Sequence, residues 1–274
     1  MSWRDELVRR FPRLEVLPAD AYVVGGAIRD LLLEREPADV DVACLDARAC
    51  AERISSRVIR LGTEEHLSAW RVVDGDHIYD FADLLDGAIG PDLARRDFTV
   101  NAMAVKLGSG ELLDHHGSQR DLGARVVRMI NASNFDDDPL RCLKAVRMAT
   151  VLGFEIEPLT VAAIRARAAK VSSIAAERVT YELSVIFSAG RFRRAVALLH
   201  ESGLDEPLFG RALDSGAYHA DDVTLAGAMA LLVDEPGEYG KRWRWGAALR
   251  REAAALQLLL PLSGDHRVEL YEAG

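Results

Sequence analysis

The chain has 274 residues, 49% of them hydrophobic, and a formal net charge of −9. That length buries a sizeable core in one large or two modest domains, and the acidic balance argues against a protein that coats nucleic acid while leaving room for a local basic groove. No apolar run reaches the ~18 residues of a membrane span, and the charged start, Met1 to Phe11, lacks the apolar centre of a signal peptide.

Cys44, Cys50 and Cys142 have no metal-ligand spacing. An odd number of such cysteines predicts free thiols in a reducing cytoplasm. Basic residues are overwhelmingly arginine, with lysine only at 106, 144, 170 and 241.

In chain order, residues 1–20 read as a short amphipathic helix ending near Pro12, then a loop to Pro18. Tyr22-Val23-Val24 is a short apolar strand that stops at Gly25-Gly26. Those glycines permit a tight turn and the close approach of a phosphate. The helix that follows should bury Ile28, Leu31, Leu32 and Leu33, with Arg29 and its free first-turn N–H groups aimed at an anion. After Pro37 comes a second strand, Asp39 to Ala43. Residues i and i+2 of a strand share a face, so Asp39 and Asp41 point the same way while Val40 and Val42 pack behind. Carboxylates about 6–7 Å apart are costly unless something cationic sits between them. A pair of Mg²⁺ ions meets that need, and phosphoryl transfer uses such a clamp.

Further along, 47–56 reads as a helix, 58–61 as a strand, and 69–74 with 77–82 as a hairpin turning at Asp74-Gly75-Asp76. Asp80 on the second hairpin strand, flanked by Tyr79 and Phe81, reads from the alternation alone as a solvent-facing residue. Asp92 to Ala104 contains adjacent Arg95 and Arg96, suited to a triphosphate. There Asp97 and Asn101 are candidates to hold a ribose hydroxyl or to fix the arginines. His115-His116 lacks a third ligand at suitable spacing and reads as a surface loop.

From Asp136 to Met148, Pro139 suits a helix's first turn and the aspartates suit its N-terminus. Leu140, Leu143, Val146, Met148 and Leu152 form an apolar stripe, leaving Asp138, Arg141 and Lys144 on a polar one. Helices are expected over 159–169, 176–188, 191–202 and 243–260, with loops at 207–216 and Pro236-Gly237. Arg165, Arg167, Lys170, Arg178, Arg191, Arg193 and Arg194 are either a face for RNA phosphates or a solvated helix face.

The strand–Gly-Gly–helix–strand–Asp-x-Asp segment over 21–44 resembles the first motif of the class II tRNA nucleotidyltransferases and bacterial poly(A) polymerases, within the polymerase-β-like superfamily. Arg95 to Ala102 is similar to the family pattern RRDFTxNA, and Asp137 to Arg141 to ED-x-x-R, with Asp137 where the family has Glu and Lys144 where it has a later arginine. Glu177 to Leu183 resembles ER-x-x-x-EL, whose charges read as a structural network in preference to a contact surface.

The resemblance implies an α+β fold: a nucleotidyltransferase head over 1–130 built on a small mixed sheet with helices on one side, then an all-helical neck and shortened body over 131–274, short of the family's further helical regions. It implies transfer of C or A from CTP or ATP to an RNA 3′ end, a tRNA foremost, with Mg²⁺ on Asp39 and Asp41 and Asp80 as a further acidic residue. Gly25, Gly26, Arg29, Arg96 and Lys144 would contact the phosphates and Asp97 the ribose, while Asp138 and Arg141 would read the base. Alternatives are a poly(A) polymerase, a partial CC- or A-adding enzyme, nucleotidyl transfer to a small molecule, and an inactive RNA-binding homologue. Oligomeric state is not legible.

Overall fold

Ser2 caps the first helix, its hydroxyl accepting from the Asp5 N–H at 3.1 Å while the Asp5 carboxylate accepts from the Ser2 N–H at 3.2 Å. This reciprocal pair satisfies two first-turn donors and fixes where helix α1 (Trp3–Arg10) starts. The computed structural model describes residues 2–61 and 69–259. It divides into two compact units, Met1–Ala124 with Arg128–Asn131, and Arg125–Val127 with Ala132–Gly274.

The first unit is a seven-stranded mixed sheet. Its strands are β1 (Tyr22–Val24), β2 (Asp39–Cys44), β3 (Ile59–Leu61), β4 (Ala69–Asp74), β5 (His77–Asp83), β6 (Ala104–Lys106) and β7 (Leu112–Leu113). They lie in the order β3-β4-β5-β2-β1-β6-β7. β2 and β5 run parallel and the other neighbours antiparallel. The alternation expected for β2 is present: Val40 and Val42 are buried, and Asp39 and Asp41 are exposed. Tyr79 and Phe81 fill the same interior from β5. The β4–β5 hairpin closes through the two-residue loop Gly75-Asp76, pairing Asp74 with His77, as the Asp-Gly signal predicts.

Helix α2 (Gly26–Leu32) is shorter than its apolar run suggests. Ala27 and Ile28 are buried, Leu31 and Leu32 only half-buried, and Leu33 is the cap residue beyond the last turn. The Leu33 N–H bonds back to Arg29 and Asp30, and Glu34 then takes a left-handed φ of 56° that ends the helix. Helix α3 (Ala47–Ile54) starts at Asp46, which accepts from the Ala49 N–H at 2.8 Å; such a cap stabilises by ~1 kcal/mol. Two short helices, α4 (Ile89–Ala94) and α5 (Ser118–Gly123), complete the unit.

The second unit is mostly helical: α6 (Asn134–Asp137), α7 (Leu140–Leu152), α8 (Pro158–Arg165), α9 (Ala176–Phe187), α10 (Phe192–Glu201), α11 (Asp205–Phe209), α12 (Leu225–Leu232), α13 (Pro236–Arg242) and α14 (Ala247–Leu259). The stripe expected on α7 is buried throughout, from Leu140 to Leu152. Gly153, in the left-handed region at φ 72°, stops that helix.

Three expectations need correction. The unit is not wholly helical, because β8 (Val126–Val127) pairs in parallel with β9 (Glu155–Ile156). Residues around Pro207 and Pro236 are helical, with Pro236 in the first turn of α13, where the missing N–H costs nothing. The last helix begins at Ala247, since Trp243 and Trp245 are buried ahead of it; residue 260 lies outside the described residues. No helix among those described is long and apolar enough to cross a membrane.

Candidate active site

In the first unit the expected groups gather around Gly25. Its φ of 77° and ψ of −129° lie in a region open only to glycine. A Cβ there would stand 2.8 Å from Arg96 Nη1 and 3.4 Å from Asp41 Oδ2. The absent side chain therefore lets an arginine and a strand carboxylate close on one point. Gly26 is different: a Cβ there meets only Arg29 at ordinary contact distance, 3.5 Å.

Among the described residues, neither the Asp39 nor the Asp41 carboxylate accepts a hydrogen bond or forms an ion pair. Water reaches Asp41 at the open face of β2, yet protein atoms crowd its carboxyl. That partial desolvation is the first cause pushing it up to about 6 from 3.8; Asp39 and Asp80 push the same way, opposed by the guanidiniums of Arg96 and Arg71. Asp80 lies beside Asp41 in the parallel β2–β5 register. Its two oxygens are occupied by Arg71, Nε at 2.7 Å and Nη2 at 2.6 Å. Asp80 is therefore a half-buried partner of an arginine and not a solvent-facing residue, and it shares the Asp41 face of the sheet.

Arg96 and Arg95 are aimed by Asp92, which is 1% exposed. Asp92 Oδ1 accepts from Arg95 Nη2 at 2.8 Å and Oδ2 from Arg96 Nη2 at 3.1 Å. Arg29 forks onto Asp30 at 2.8 and 2.9 Å and donates through Nη1 to Asn101 Oδ1 at 2.8 Å. Asn101 Nδ2 in turn donates to Asp97 Oδ1 at 3.0 Å, which also accepts from the Phe98 N–H. The Asn101 side chain, steadied by Asp97, thus fixes Arg29 and not the adjacent Arg95 and Arg96 that were expected to need it, and Arg29 is largely neutralised by its neighbour.

The donor set suits a hard divalent cation. Mg²⁺ is commonly held by one or two carboxylates, completed by water and substrate phosphates, and two unpartnered carboxylates on one face supply that share. No group of three or more His, Cys, Asp or Glu side chains that could hold a metal ion occurs among the described residues. The His115-His116 loop is not such a site; Asp114 beside it caps α5 through the Ser118 and Gln119 N–H groups at 2.7 and 3.0 Å.

Asp138, Arg141 and Lys144 belong to the second unit. Asp138 lies just before α7 in an extended conformation, not on its first turn. Its Oδ1 accepts the Leu140 N–H at 3.3 Å and its Oδ2 accepts Arg178 Nη2 at 2.9 Å. Arg141 Nη1 donates to the Asn134 carbonyl at 3.0 Å. The charges of the 177–183 segment are structural, as expected: Glu177 pairs with Arg244, Arg178 with Asp138, and buried Glu182 with Arg147 at 2.7 Å. Arg167 and Lys170 both pair with Asp136, whose carboxyl they hold well below the usual range, Arg167 foremost.

Sequence reasoning gave no role to Asp92 or Arg71. Both carried a signal. Asp92 precedes Arg95 and Arg96 at the three- and four-residue spacing of helix neighbours, and a two-residue hairpin turn at 75–76 sets Arg71 opposite Asp80.

Comparison with known proteins agrees with this geometry. Residues 21–86 and 86–128 match the family described as the poly A polymerase head domain. Residues 153–215 match the one described as the probable RNA and SrmB-binding site of polymerase A. The chain is 37% identical over 237 residues to an A-adding tRNA nucleotidyltransferase of Deinococcus radiodurans, covering 82% of this chain and 54% of that protein. It is 38% identical over 218 residues to a CC-adding tRNA nucleotidyltransferase of Geobacter sulfurreducens, covering 76% and 48% respectively. The fold superposes on the crystal structure of a Bacillus stearothermophilus CCA-adding enzyme in complex with CTP with a TM-score of 0.78 and 29% identity, covering 92% of this chain and 70% of that one.

A strand–Gly-Gly–helix junction beside an Asp-x-Asp strand, on a mixed sheet, defines a nucleotidyltransferase head. The chain belongs to the class II tRNA nucleotidyltransferase and poly(A) polymerase family, whose chemistry implies a divalent metal. It spans about half the length of the curated relatives it matches.

Proposed function

We propose that this chain is a template-independent RNA nucleotidyltransferase of the cytoplasm that adds C, A or both from CTP and ATP to a tRNA 3′ end. The observation that carries this reading is Asp39 and Asp41 with unpartnered carboxylates on an open strand face, where the missing side chain of Gly25 leaves room for both Arg96 and Asp41. In this reading residues 1–130 are the catalytic head and 131–274 the neck and body.

Asp39 and Asp41 would hold Mg²⁺. Bound there, the metal would make the RNA 3′-hydroxyl more acidic and offset charge on the departing pyrophosphate. Arg96 supplies paired guanidinium donors to the triphosphate, and Asp92 keeps them aimed so that little reorganisation is needed on binding. Asp97 and Asn101 hold Arg29 at the same junction and leave oxygens within the site for a ribose hydroxyl. Lys144 contributes a mobile cation to the phosphates.

Base choice rests on Asp138 and Arg141. A carboxylate only accepts and a guanidinium only donates. Cytosine and adenine both offer an amino donor beside a ring-nitrogen acceptor, whereas uracil and guanine put a carbonyl oxygen where the amino group is needed. That mismatch costs roughly 1–3 kcal/mol for each buried group left unpaired.

The test is incorporation. Transcripts of one tRNA ending before CCA, at CC, and intact are each supplied with a single NTP and Mg²⁺, and product lengths are read on a gel. The reading requires CMP or AMP addition and no UMP or GMP addition. The number of residues added separates CC-adding, A-adding, CCA-adding and poly(A) products.

A further inference from the structure

The face of the sheet that carries Asp41 has two unlike halves. At the β1–β6 end, Val24, Ala43 and Ala104 lie on it and are packed against Leu84 and Leu93. On the other side of Asp39 and Asp41, the register continues the same face onto β5, β4 and β3. Ile78 pairs with Asp39 and Val73 pairs with Ile78, while Ile59 pairs with Arg71, one diagonal step from Val73.

This second half is apolar and open. Val73 is 54% exposed and Ile59 52%, with Ile78 half-buried between Val73 and Asp39. The opposite face of these strands is apolar too, since Val72, Tyr79 and Phe81 fill the interior. A strand with one wet face ordinarily alternates apolar and polar residues, and Val72-Val73 and Ile78-Tyr79 break that alternation. Exposed aliphatic side chains scattered singly are ordinary, but neighbours in one register make a patch. Arg71 and Asp80, which lie within it, neutralise each other at 2.6 Å. The patch therefore offers apolar surface without net charge.

Its place beside the aspartates indicates what lies on it. Gly25, at the end of β1, and Arg96 beside it stand on one side of β2, and β5 lies on the other. In phosphoryl transfer the attacking and leaving oxygens are roughly in line. With the triphosphate at Arg96, the attacking hydroxyl enters over β5 and β4. Neighbouring strands are about 5 Å apart, so the patch runs from about 5 Å to about 15 Å from β2. That is room for two or three nucleotides at about 3.4 Å each.

We propose that Ile59, Val73 and Ile78 form a floor under the last bases and riboses of the acceptor RNA, positioning its 3′-hydroxyl towards Asp39 and Asp41. The proposal rests on the functional reading above. It gives the head an acceptor contact of its own, separate from the 153–215 segment. An uncharged floor meets bases and riboses in preference to phosphates, so its contribution is independent of salt. A second copy of the chain seated here would stand across the acceptor's path.

The experiment is steady-state incorporation at two salt concentrations, with tRNA transcript and nucleotide varied in turn. The proteins are the wild type, Ile59→Thr with Val73→Thr, and Ile59→Val with Val73→Ile. Threonine keeps the strand preference while removing apolar surface, and melting curves and sedimentation velocity of all three check fold and assembly. The threonine variant should raise KM for the transcript about fivefold or more, with KM for the nucleotide and Tm close to the wild type. The rise should be the same at both salt concentrations, and the aliphatic variant should behave as the wild type. An unchanged transcript KM in the threonine variant would overturn the proposal. So would an equal rise in both KM values, which would mean that the strands themselves are disturbed. A wild-type dimer that the threonine variant dissociates without moving the transcript KM would assign the patch to a second copy. In each of these cases a working wild type keeps the functional reading; a wild type that incorporates no nucleotide removes that reading and the floor with it.

Discussion

Arg71 and Asp80 face each other across the β4–β5 hairpin and are joined by two short hydrogen bonds, 2.7 and 2.6 Å, one strand away from Asp41. The pair keeps Asp80 from adding a third unbalanced charge to Asp39 and Asp41. It also keeps Arg71 from turning to them. Asp80→Ala should therefore leave Arg71 free to compete with the metal for Asp41. Activity at saturating Mg²⁺ is expected to persist, with the Mg²⁺ concentration for half-maximal rate raised about tenfold, equivalent to about 1.4 kcal/mol. Titration of initial rate against Mg²⁺ decides it, and an unchanged midpoint would show that Arg71 does not reach the carboxylates.

Gly25 and Gly26 are adjacent in sequence but differ in what they permit. Gly25→Ala forces a side chain into a glycine-only conformation and against Arg96 Nη1, at a cost on the order of 1–3 kcal/mol. A fall in Tm of about 3–10 °C should follow, together with loss of incorporation. Gly26→Ala, on the first helical turn with only ordinary contacts, should melt within about 2 °C of the wild type. Melting curves for the two variants check the contrast.

Asp92 aims two arginines from a buried position. Asp92→Asn keeps the shape and removes the charge, so Arg95 and Arg96 are anchored less firmly. Stability should fall by about 1–3 kcal/mol, and KM for CTP should rise about tenfold or more while kcat changes less, because the deficit lies in ground-state phosphate binding. Equal slowing for every substrate and an unchanged KM would instead mark Asp92 as a packing residue.

The raised Asp41 carboxyl, about 6 against 3.8, gives a signed pH dependence. Its folded-state value exceeds the unfolded one, so the folded protein holds this proton more tightly. Stability from this group is present below the unfolded value and is lost as pH rises through the folded one. Metal-free protein in a chelator should melt lower as pH climbs from about 4 to about 6, and Asp41→Asn should flatten that window.

How much of this is legible in the sequence differs by level. The head strands, the Asp-x-Asp face and the α7 stripe follow from periodicity, which survives because one face of each is buried. Helix α12 escapes notice because Leu225–Leu232 is apolar all round, with every residue from Ala226 to Leu232 buried, so no polar face marks its period. Side-chain partnerships are the least visible. Asp138 and Arg141 sit three residues apart and read as one helical turn, yet Asp138 precedes the helix and is held by Arg178, forty residues on. Spacing within one segment cannot reveal a partner that folding brings from another.

That partnership makes the base-reading proposal testable in two parts. Asp138→Ala removes both the Leu140 cap contact and the Arg178 bond. It should lower stability by ~1 kcal/mol and relax discrimination against UTP and GTP more than it slows all four nucleotides. Arg178→Ala leaves the cap contact and frees one oxygen, so it should disturb discrimination with little change in Tm. Equal slowing for all four nucleotides in Asp138→Ala would show that the residue supports α7 and does not read the base.

The most direct test of the account is a single-turnover assay of labelled CMP and AMP incorporation into tRNA lacking its 3′ end, comparing wild type with Asp39→Ala and Asp41→Ala. Each substitution removes an exposed, unpartnered carboxylate, so folding and melting temperature should be preserved or slightly improved without metal. Both variants should be folded proteins whose incorporation falls by at least about a thousandfold, roughly 4 kcal/mol of transition-state stabilisation. Incorporation within tenfold of the wild type in either one would contradict it.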